Sequence, residues 1–329
     1  MAEKPSKLDI RLRPCHFQGV VSDKYDRLRT LLRSYGSCLV AYSGGVDSVF
    51  LAYVANEVLG ERSLAAIADT PSLPRREFEE ALALGRRFQF PVRVVQTHEF
   101  ENADYRANAN NRCYFCKHEL FTELAPLAKA EGFAVIAYGE NASDTGDYRP
   151  GAQAAAEFQV RAPLKEAGLT KAEIRQLSSE MGLPTADKPQ MACLSSRVPY
   201  GEAVTPEKLK MIEQAEDVLK DLGFYDVRVR HHELRGTAPA WLSPVFTPAP
   251  AAELLGPSAR PLPLVAHLAR IEVGPSEMTK FLGNGQSVRV VEALKQIGYT
   301  HVTLDLQGYR RGSANEVLHG SGAPKKSVG

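Results

Sequence analysis

Along the first 140 residues, short unbroken apolar runs alternate with segments of helical spacing. Residues 25–35 set Leu28, Leu31 and Leu32 on one side of a helix, and residues 37–42 (SCLVAY) form a brief apolar run. Such a run, bounded by polar residues, reads as a strand buried on both faces. Helical spacing returns at 47–59, a second strand pattern at 63–70, and a helix at 74–87. Residues 91–97 and 133–138 read as two more strands, with a helix from about 114 to 131 between them. Strands alternating with helices predict a parallel, doubly wound α/β sheet.

Beyond about residue 150 the texture changes. Residues 169–181 read as a helix with Thr170 as N-cap, 183–201 as a loop carrying Pro184, Pro189 and Pro199, and 205–222 as an amphipathic helix. Strands are expected at 227–229, 269–273 and 301–306, with a helix near 288–297 before the last of them. This is the pattern of a smaller α+β domain. Between His232 and Leu268 lies a Pro- and Ala-rich passage holding Trp241, expected to be an inserted loop with little secondary structure. The organisation expected is a tail at 1–22, a first domain at 23–165 and a connecting helix with a cysteine loop at 166–202. A C-terminal domain at 203–316 would contain the insertion 233–266, before a second tail at 317–329. No internal repeat is present.

Composition narrows the function classes. Forty Lys and Arg against thirty-nine Asp and Glu give a net charge of +1. That balance argues against non-specific nucleic-acid binding, which needs a surplus of cations to neutralise phosphates. No apolar run approaches the roughly 20 residues that span a bilayer, and the first residues carry charges where a signal peptide is apolar. The expected location is therefore the cytoplasm, where the five cysteines stay reduced. An odd cysteine count with one C-x-x-C pair points to metal or sulfur chemistry.

The sharpest motif is Ser43-Gly44-Gly45-Val46-Asp47-Ser48, between an apolar strand and a helix. Small residues let backbone N–H groups turn towards an anion, and the helix start adds the positive end of its dipole. Ser43 and Ser48 offer hydroxyl donors, and Asp47 a carboxylate for Mg²⁺ on released pyrophosphate. A plain glycine turn is the bland alternative. The G-K-[ST] ending of a Walker loop is missing, which disfavours γ-phosphoryl transfer. The hexapeptide resembles the pyrophosphate loop of the N-type ATP pyrophosphatases, which cleave ATP to AMP and pyrophosphate and include NAD, GMP and argininosuccinate synthetases and tRNA thiolases. That resemblance implies a PP-loop, adenine nucleotide alpha hydrolase-like fold with ATP as cofactor.

Cys113 and Cys116, in NRCYFCK, are three apart, so a helix would set both sulfurs on one side. Cys193, in DKPQMACLSSRVPYG, is a third thiol, with Arg197 near enough in sequence to favour its thiolate. Three thiolates would leave one iron of a 4Fe–4S cluster open to a non-protein ligand such as hydrosulfide. The alternatives are two buried helix cysteines and a structural loop cysteine. Cys38 lies within the first strand and belongs to the core, and Cys15 in the tail is assigned nothing.

Taken together, SGGVDS, NRCYFCK, YGENASDTGDYRPG, DKPQMACLSSRVPYG, VRVRHH, ARIEV and LDLQGYRRGSANE resemble the LarE family from about residue 25 to 316. The resemblance implies synthesis of the nickel-pincer nucleotide cofactor. One carboxylate of pyridinium-3,5-biscarboxylic acid mononucleotide is adenylated by ATP and then converted to a thiocarboxylate. The sulfur comes either from the cysteine matching Cys193, which is sacrificed to dehydroalanine, or from an external sulfide donor through a cluster held by Cys113, Cys116 and Cys193. The resemblance further implies a homo-oligomer and handover to the nickel-inserting enzyme of the same pathway.

Under this reading the substrate's phosphate meets Arg228 and Arg230, which alternate along a strand and so share a side, together with Arg310. A solvated charged strand face is the alternative. Asn141, Asp144 and Asp147 follow the C-terminal end of a strand, where open α/β sheets bind ligands. They suit nucleotide or Mg²⁺, or plain loop capping. Glu216 and Glu272 are further metal candidates. His231 and His232 are adjacent, so a strand points them opposite ways, and neither is assigned. The insertion after Glu233 departs from the family pattern. Competing functions are a tRNA thiolase, an NAD synthetase-like amide ligase that dispenses with the cysteines, and a regulatory domain that holds ATP uncleaved.

Overall fold

The computed structural model describes residues 20–144, 150–189, 192–236, 264–283 and 285–310. They fall into two compact units. The first draws on Met1–Thr70, Arg75–His98 and Cys113–Met191, the second on Pro71–Pro74, Glu99–Arg112 and Ala192–Gly329.

In the first unit, α1 (Val20–Tyr35) leads into β1 (Cys38–Tyr42), followed by α2 (Val46–Leu59), β2 (Ser63–Asp69), α3 (Arg75–Arg87) and β3 (Val92–Gln96). After α4 (Ala103–Arg106), which belongs to the second unit, α5 (Arg112–Glu131) leads back to β4 (Val135–Tyr138). The four strands are all parallel and run in the order β3-β2-β1-β4. This is the doubly wound α/β sheet expected from the alternating pattern. Leu39, Leu64 and Ala66 pack in one core with Phe121, Leu124 and Ala128 of α5. Cys38, Val40 and Ala65, of opposite parity, are equally buried, so both faces of the central strands are covered. Each large side chain so buried contributes roughly 1.5–3 kcal/mol.

Three short helices carry no strong apolar period and were not expected: α4, α6 (Pro150–Glu157) and α7 (Pro163–Glu166). The last two have proline in the first turn, where its missing N–H costs nothing. α8 (Lys171–Glu180) begins at the expected cap. Thr170 accepts from Glu173 N, and the Glu173 side chain accepts from Thr170 N, closing a capping box.

The second unit holds α9 (Pro206–Asp221), β5 (Val227–Gly236), β6 (Leu264–Val273), α10 (Gln286–Ile297) and β7 (His301–Leu304). β5 and β6 are antiparallel, β6 and β7 parallel. Val227, Val229, Ala269, Ile271 and Val273 face Ala215 and Leu219 of α9 and Val290 and Leu294 of α10 in one core. The hairpin is longer than expected. Glu233 to Gly236 pair with Leu264 to His267, so both edges of the expected loop are strand. The remainder of that passage, with Trp241, lies outside the described residues, as do Cys15 and Asp147. Among the described residues no helix is long and apolar enough to cross a membrane.

Candidate functional site

The order β3-β2-β1-β4 puts the topological switch between β1 and β4, where open α/β sheets take their ligands beyond the strand C-termini. The Ser43–Ser48 loop leaves β1 there. Gly44 has φ +73°, and a Cβ on it would stand 2.7 Å from the Cβ of Ala81. A side chain at this position is therefore barred both by conformation and by space. Gly45 is the N-cap of α2 and supplies no side-chain cap, so the helix's leading N–H groups face outward without one. Ser48 Oγ accepts from Ser43 N at 3.2 Å and lies 3.1 Å from Ser43 Oγ, tying the loop's two ends together. Gly139, just after β4, would bring a Cβ to 3.0 Å from Ser48 N, so glycine lets the end of β4 approach the first turn of α2 this closely.

Asp47 Oδ2 accepts from Lys171 Nζ at 2.6 Å. Its Oδ1 is buried with no hydrogen-bond partner among the described residues. Burial pushes the Asp47 carboxyl above its usual range, against the pull of Lys171. A buried carboxylate oxygen with no donor fits a cation, so the donor set suits Mg²⁺ with a phosphate chain. Lys171 escaped the sequence reading, because a lysine in a first helical turn carries no motif. Asn141 is buried, its Oδ1 accepts from Ser143 N at 2.9 Å, and Asp144 Oδ2 accepts from Asn141 N at 3.2 Å. These two therefore cap their own turn.

Cys113 and Cys116 lie on α5, the first exposed and the second partly buried. Their i,i+3 spacing gives one side of the helix, but among the described residues Cys113, Cys116 and Cys193 do not gather into one metal-competent group, so the expected cluster is not assembled here.

In the second unit Cys193 is the N-cap of a 3₁₀ turn, Leu194–Arg197, and is partly buried. The expected loop thus contains a tight turn held from several directions. Arg197 is buried, and its Nη1 donates to the Ala192 and Cys193 carbonyls at 2.6 and 2.9 Å. Its Nε and Nη2 fork onto Glu216 at 2.8 and 3.1 Å. The guanidinium therefore grips the Cys193 backbone. Arg230 Nη1 donates to the Ser196 carbonyl and Arg112 Nη1 to the Ser195 carbonyl, each at 2.9 Å. Ser195 Oγ sits 3.0 Å from Ser72 Oγ and 2.8 Å from Tyr105 Oη in a buried hydroxyl cluster. Asn108, with φ 55°, donates to the Pro199 and Glu202 carbonyls at 2.7 and 3.0 Å and fixes the following loop. Ser72, Tyr105 and Asn108 come from segments far away in sequence, so no local pattern announces them.

Arg228 and Arg230 share the face of β5 opposite Val227 and Val229, as their alternation predicts. Arg228 lies over the Tyr309 ring at 4.7 Å. Burial, with the like charge of Arg197 beside it, pulls the Arg228 guanidinium below its ordinary value. Arg230 Nη2 donates to Glu272 Oε2 at 2.9 Å. Arg310 is partly buried near Asp305. Glu216 and Glu272, expected as metal candidates, are engaged by arginine, Glu216 by Arg197 and Glu272 by Arg230 and Arg270. Burial alone would raise the Glu216 carboxyl. Arg197, then Arg228 and the Val229 N–H, outweigh that and hold it below the usual range.

Among the described residues, the metal-competent side chains whose ligand atoms all come within 4.8 Å of one another are His231, Glu233 and His267. His231, left unassigned by the sequence, faces the core with Val229.

No family model matches the chain. Over 299 residues it is 40% identical to an uncharacterized protein of Synechocystis sp., covering 91% of this chain and 99% of that one. Over 299 residues it is 29% identical to the pyridinium-3,5-bisthiocarboxylic acid mononucleotide synthase of Lactiplantibacillus plantarum, covering 91% and 96%. Over 225 residues it is 29% identical to the glutamine-hydrolyzing GMP synthase of Phenylobacterium zucineum, covering 58% and 41%. Relatives matched along nearly their whole length, a parallel sheet in the order β3-β2-β1-β4 and an uncapped glycine loop after β1 agree: the chain belongs to the LarE family, with the PP-loop ATP pyrophosphatase fold.

Proposed function

We propose that this chain is an AMP- and pyrophosphate-forming sulfurtransferase that turns a carboxylate of pyridinium-3,5-biscarboxylic acid mononucleotide into a thiocarboxylate. The observation that carries the reading is the cysteine turn, with the Cys193 thiol at its head and its carbonyls held by Arg197, Arg230 and Arg112. The Lactiplantibacillus plantarum relative is a pyridinium-3,5-bisthiocarboxylic acid mononucleotide synthase, and that product supports the substrate class.

The chemistry has two halves. The substrate carboxylate attacks the α-phosphorus of ATP, forming an acyl-adenylate and releasing pyrophosphate. The outward N–H groups at the start of α2 and the Ser43 and Ser48 hydroxyls stabilise the leaving charge. Asp47 Oδ1 would hold Mg²⁺, which would neutralise the phosphates, while the Lys171 ammonium on Oδ2 adds a second positive charge beside them. A sulfur nucleophile then adds to the activated carbonyl, AMP leaves, and the C–S bond remains. With Cys193 as nucleophile the intermediate is a thioester. Loss of its α-proton and cleavage of the Cβ–S bond release the thiocarboxylate and leave dehydroalanine. Cys113, Cys116 and Cys193 are also the residues that would hold a 4Fe–4S cluster, which would supply external sulfide in place of the cysteine's own.

Arg228, Arg230 and Arg310 are the proposed phosphate grip. The crowding of Arg228 against Arg197 supports it, because a dianion there relieves like-charge repulsion. The reading extends to a homo-oligomeric cytoplasmic enzyme whose product passes to a nickel-inserting partner. The test is anaerobic incubation with ATP and the biscarboxylic mononucleotide, following pyrophosphate and product mass. Expected are substrate-dependent pyrophosphate release and a mass gain of sulfur for oxygen, with the second lost in Cys193→Ala. Pyrophosphate release indifferent to the mononucleotide, or stimulated by tRNA instead, would overturn the proposal.

A further inference from the structure

We infer that His231, Glu233 and His267 form a binding site for a divalent first-row transition cation of the zinc class, where the chain leaves β5 and returns on β6. The site stands apart from the sulfur-transfer residues and does not depend on that reading. Strand parity assembles it. Val227, Val229, His231 and Glu233 share one face of β5, and the β5–β6 register sets His267 directly opposite Glu233. Along this face the apolar core ends at Val229, and the next inward position is a histidine.

That histidine is not a satisfied core residue. His231 is 0% exposed. Its Nδ1 lies 3.2 Å from the Tyr299 hydroxyl, yet its Nε2 is buried with no hydrogen-bond partner among the described residues. His267 Nδ1 is likewise buried and without one. The two rings are 4.9 Å apart between centroids. Leaving a buried polar atom unmade costs about 1–3 kcal/mol, and two such nitrogens beside one carboxylate point to one missing partner that accepts lone pairs.

The donor set names the partner's class. Two imidazoles and a carboxylate suit zinc and its neighbours, whereas calcium and magnesium prefer all-oxygen shells. One ligand atom from each residue lies within 4.8 Å of the others. A tetrahedral set with bonds of about 2.0–2.1 Å has its ligands about 3.4 Å apart, so modest side-chain rotation closes the shell. When Nδ1–H donates to the Tyr299 oxygen, Nε2 keeps the lone pair, the usual second-shell device for orienting a histidine ligand. Glu233 and His267 are partly exposed, which leaves an entry path and a fourth position for water. Lys208 Nζ pairs with Glu233 Oε1 at 2.8 Å. A bound cation would share the Glu233 carboxylate with this ammonium, which moderates its affinity.

The test uses metal-stripped full-length protein titrated with zinc chloride alone, in wild type and in a Cys113→Ser/Cys116→Ser background that removes thiolate binding. One zinc per chain is expected in the serine background. His267→Ala should weaken binding by more than about 100-fold, beyond the loss of an outer-shell partner. His232→Ala, on the opposite face of β5, should bind as its parent does. His231→Asn should act as His267→Ala does, and matching far-ultraviolet spectra of the metal-free variants guard against misfolding. Bound cobalt(II) should lack a thiolate-to-metal charge-transfer band. Failure to bind zinc stoichiometrically in the serine background, or undiminished binding by folded His267→Ala, would overturn the inference.

Discussion

Replacing Glu216 by alanine removes the counter-charge from a guanidinium that has no route to water. Both side chains of the Arg197–Glu216 pair are 3% exposed. Glu216 Oε1 also accepts from Val229 N at 3.0 Å, so the variant orphans a backbone donor on the outer edge of β5 as well. Breaking one side of a buried ion pair costs about 3–5 kcal/mol. The carbonyls of Ala192 and Cys193 still receive Arg197 Nη1, which places the expected loss near the lower bound, about 3 kcal/mol. At about 2–4 °C per kcal/mol for a domain of this size, the unfolding midpoint should fall by about 6–12 °C. The pH dependence follows from the lowered Glu216 carboxyl. Its contribution is present above the unfolded-state value of about 4.3 and is lost as pH falls through the lower folded value. Glu216→Ala should therefore flatten the stability profile below about pH 4.3. The assay is urea unfolding of the full chain across pH, with Arg197→Met/Glu216→Met as partner. If the penalty is an orphaned charge, the double variant recovers most of it. A single-variant loss under about 1 kcal/mol, or a double variant no better than the single, would refute the buried-pair account.

Three further outcomes are expected. Cys38 is fully buried, and burial pushes its thiol up to about 12. Iodoacetamide at pH 8 should leave it unmodified while labelling exposed Cys113, as read by peptide mass spectrometry; equal labelling would contradict the burial. Gly44→Ala forces a side chain to φ +73° and against Ala81. It should cost about 1–2 kcal/mol for the backbone alone and abolish substrate-dependent pyrophosphate release; wild-type release would remove the loop from the nucleotide site. Asp47→Asn keeps the shape but loses the charge facing Lys171 and should slow pyrophosphate release by about 100-fold. Retention of the rate would assign Asp47 to structure.

The parallel sheet was legible because its central strands are buried on both faces and therefore read as unbroken apolar runs, as CLVAY does at β1. The glycine loop after β1 was legible because its backbone needs glycine where φ is positive and space is short, and glycine is visible in a sequence. The support of the Cys193 turn was not. Ser72, Tyr105 and Asn108 act through contacts 90 or more residues away from their partners at 195–199, or through each other. Polar residues in loops have no period that could signal this. The hairpin's length was misjudged for a related reason. Past Arg230 the strand carries His, His and Glu where an apolar alternation would have marked it, and cross-strand pairing with β6 overrides the weak local signal.

β5 shows why that hidden stretch matters. Its period of two puts Arg228 and Arg230 on one face and Val227, Val229 and His231 on the other. A slip of one residue would drive the guanidiniums into the apolar core and turn the valines towards the cysteine turn. Two features hold the register. The ten-residue ladder with β6 sets it along the inner edge, and Glu216 takes the Val229 N–H on the outer edge, where no strand pairs among the described residues. Glu216 thus fixes the strand that presents Arg228 while also neutralising Arg197, which holds Cys193. A substitution at Glu216 should accordingly loosen the arginine face and the cysteine turn together, whereas one at His267 should disturb neither.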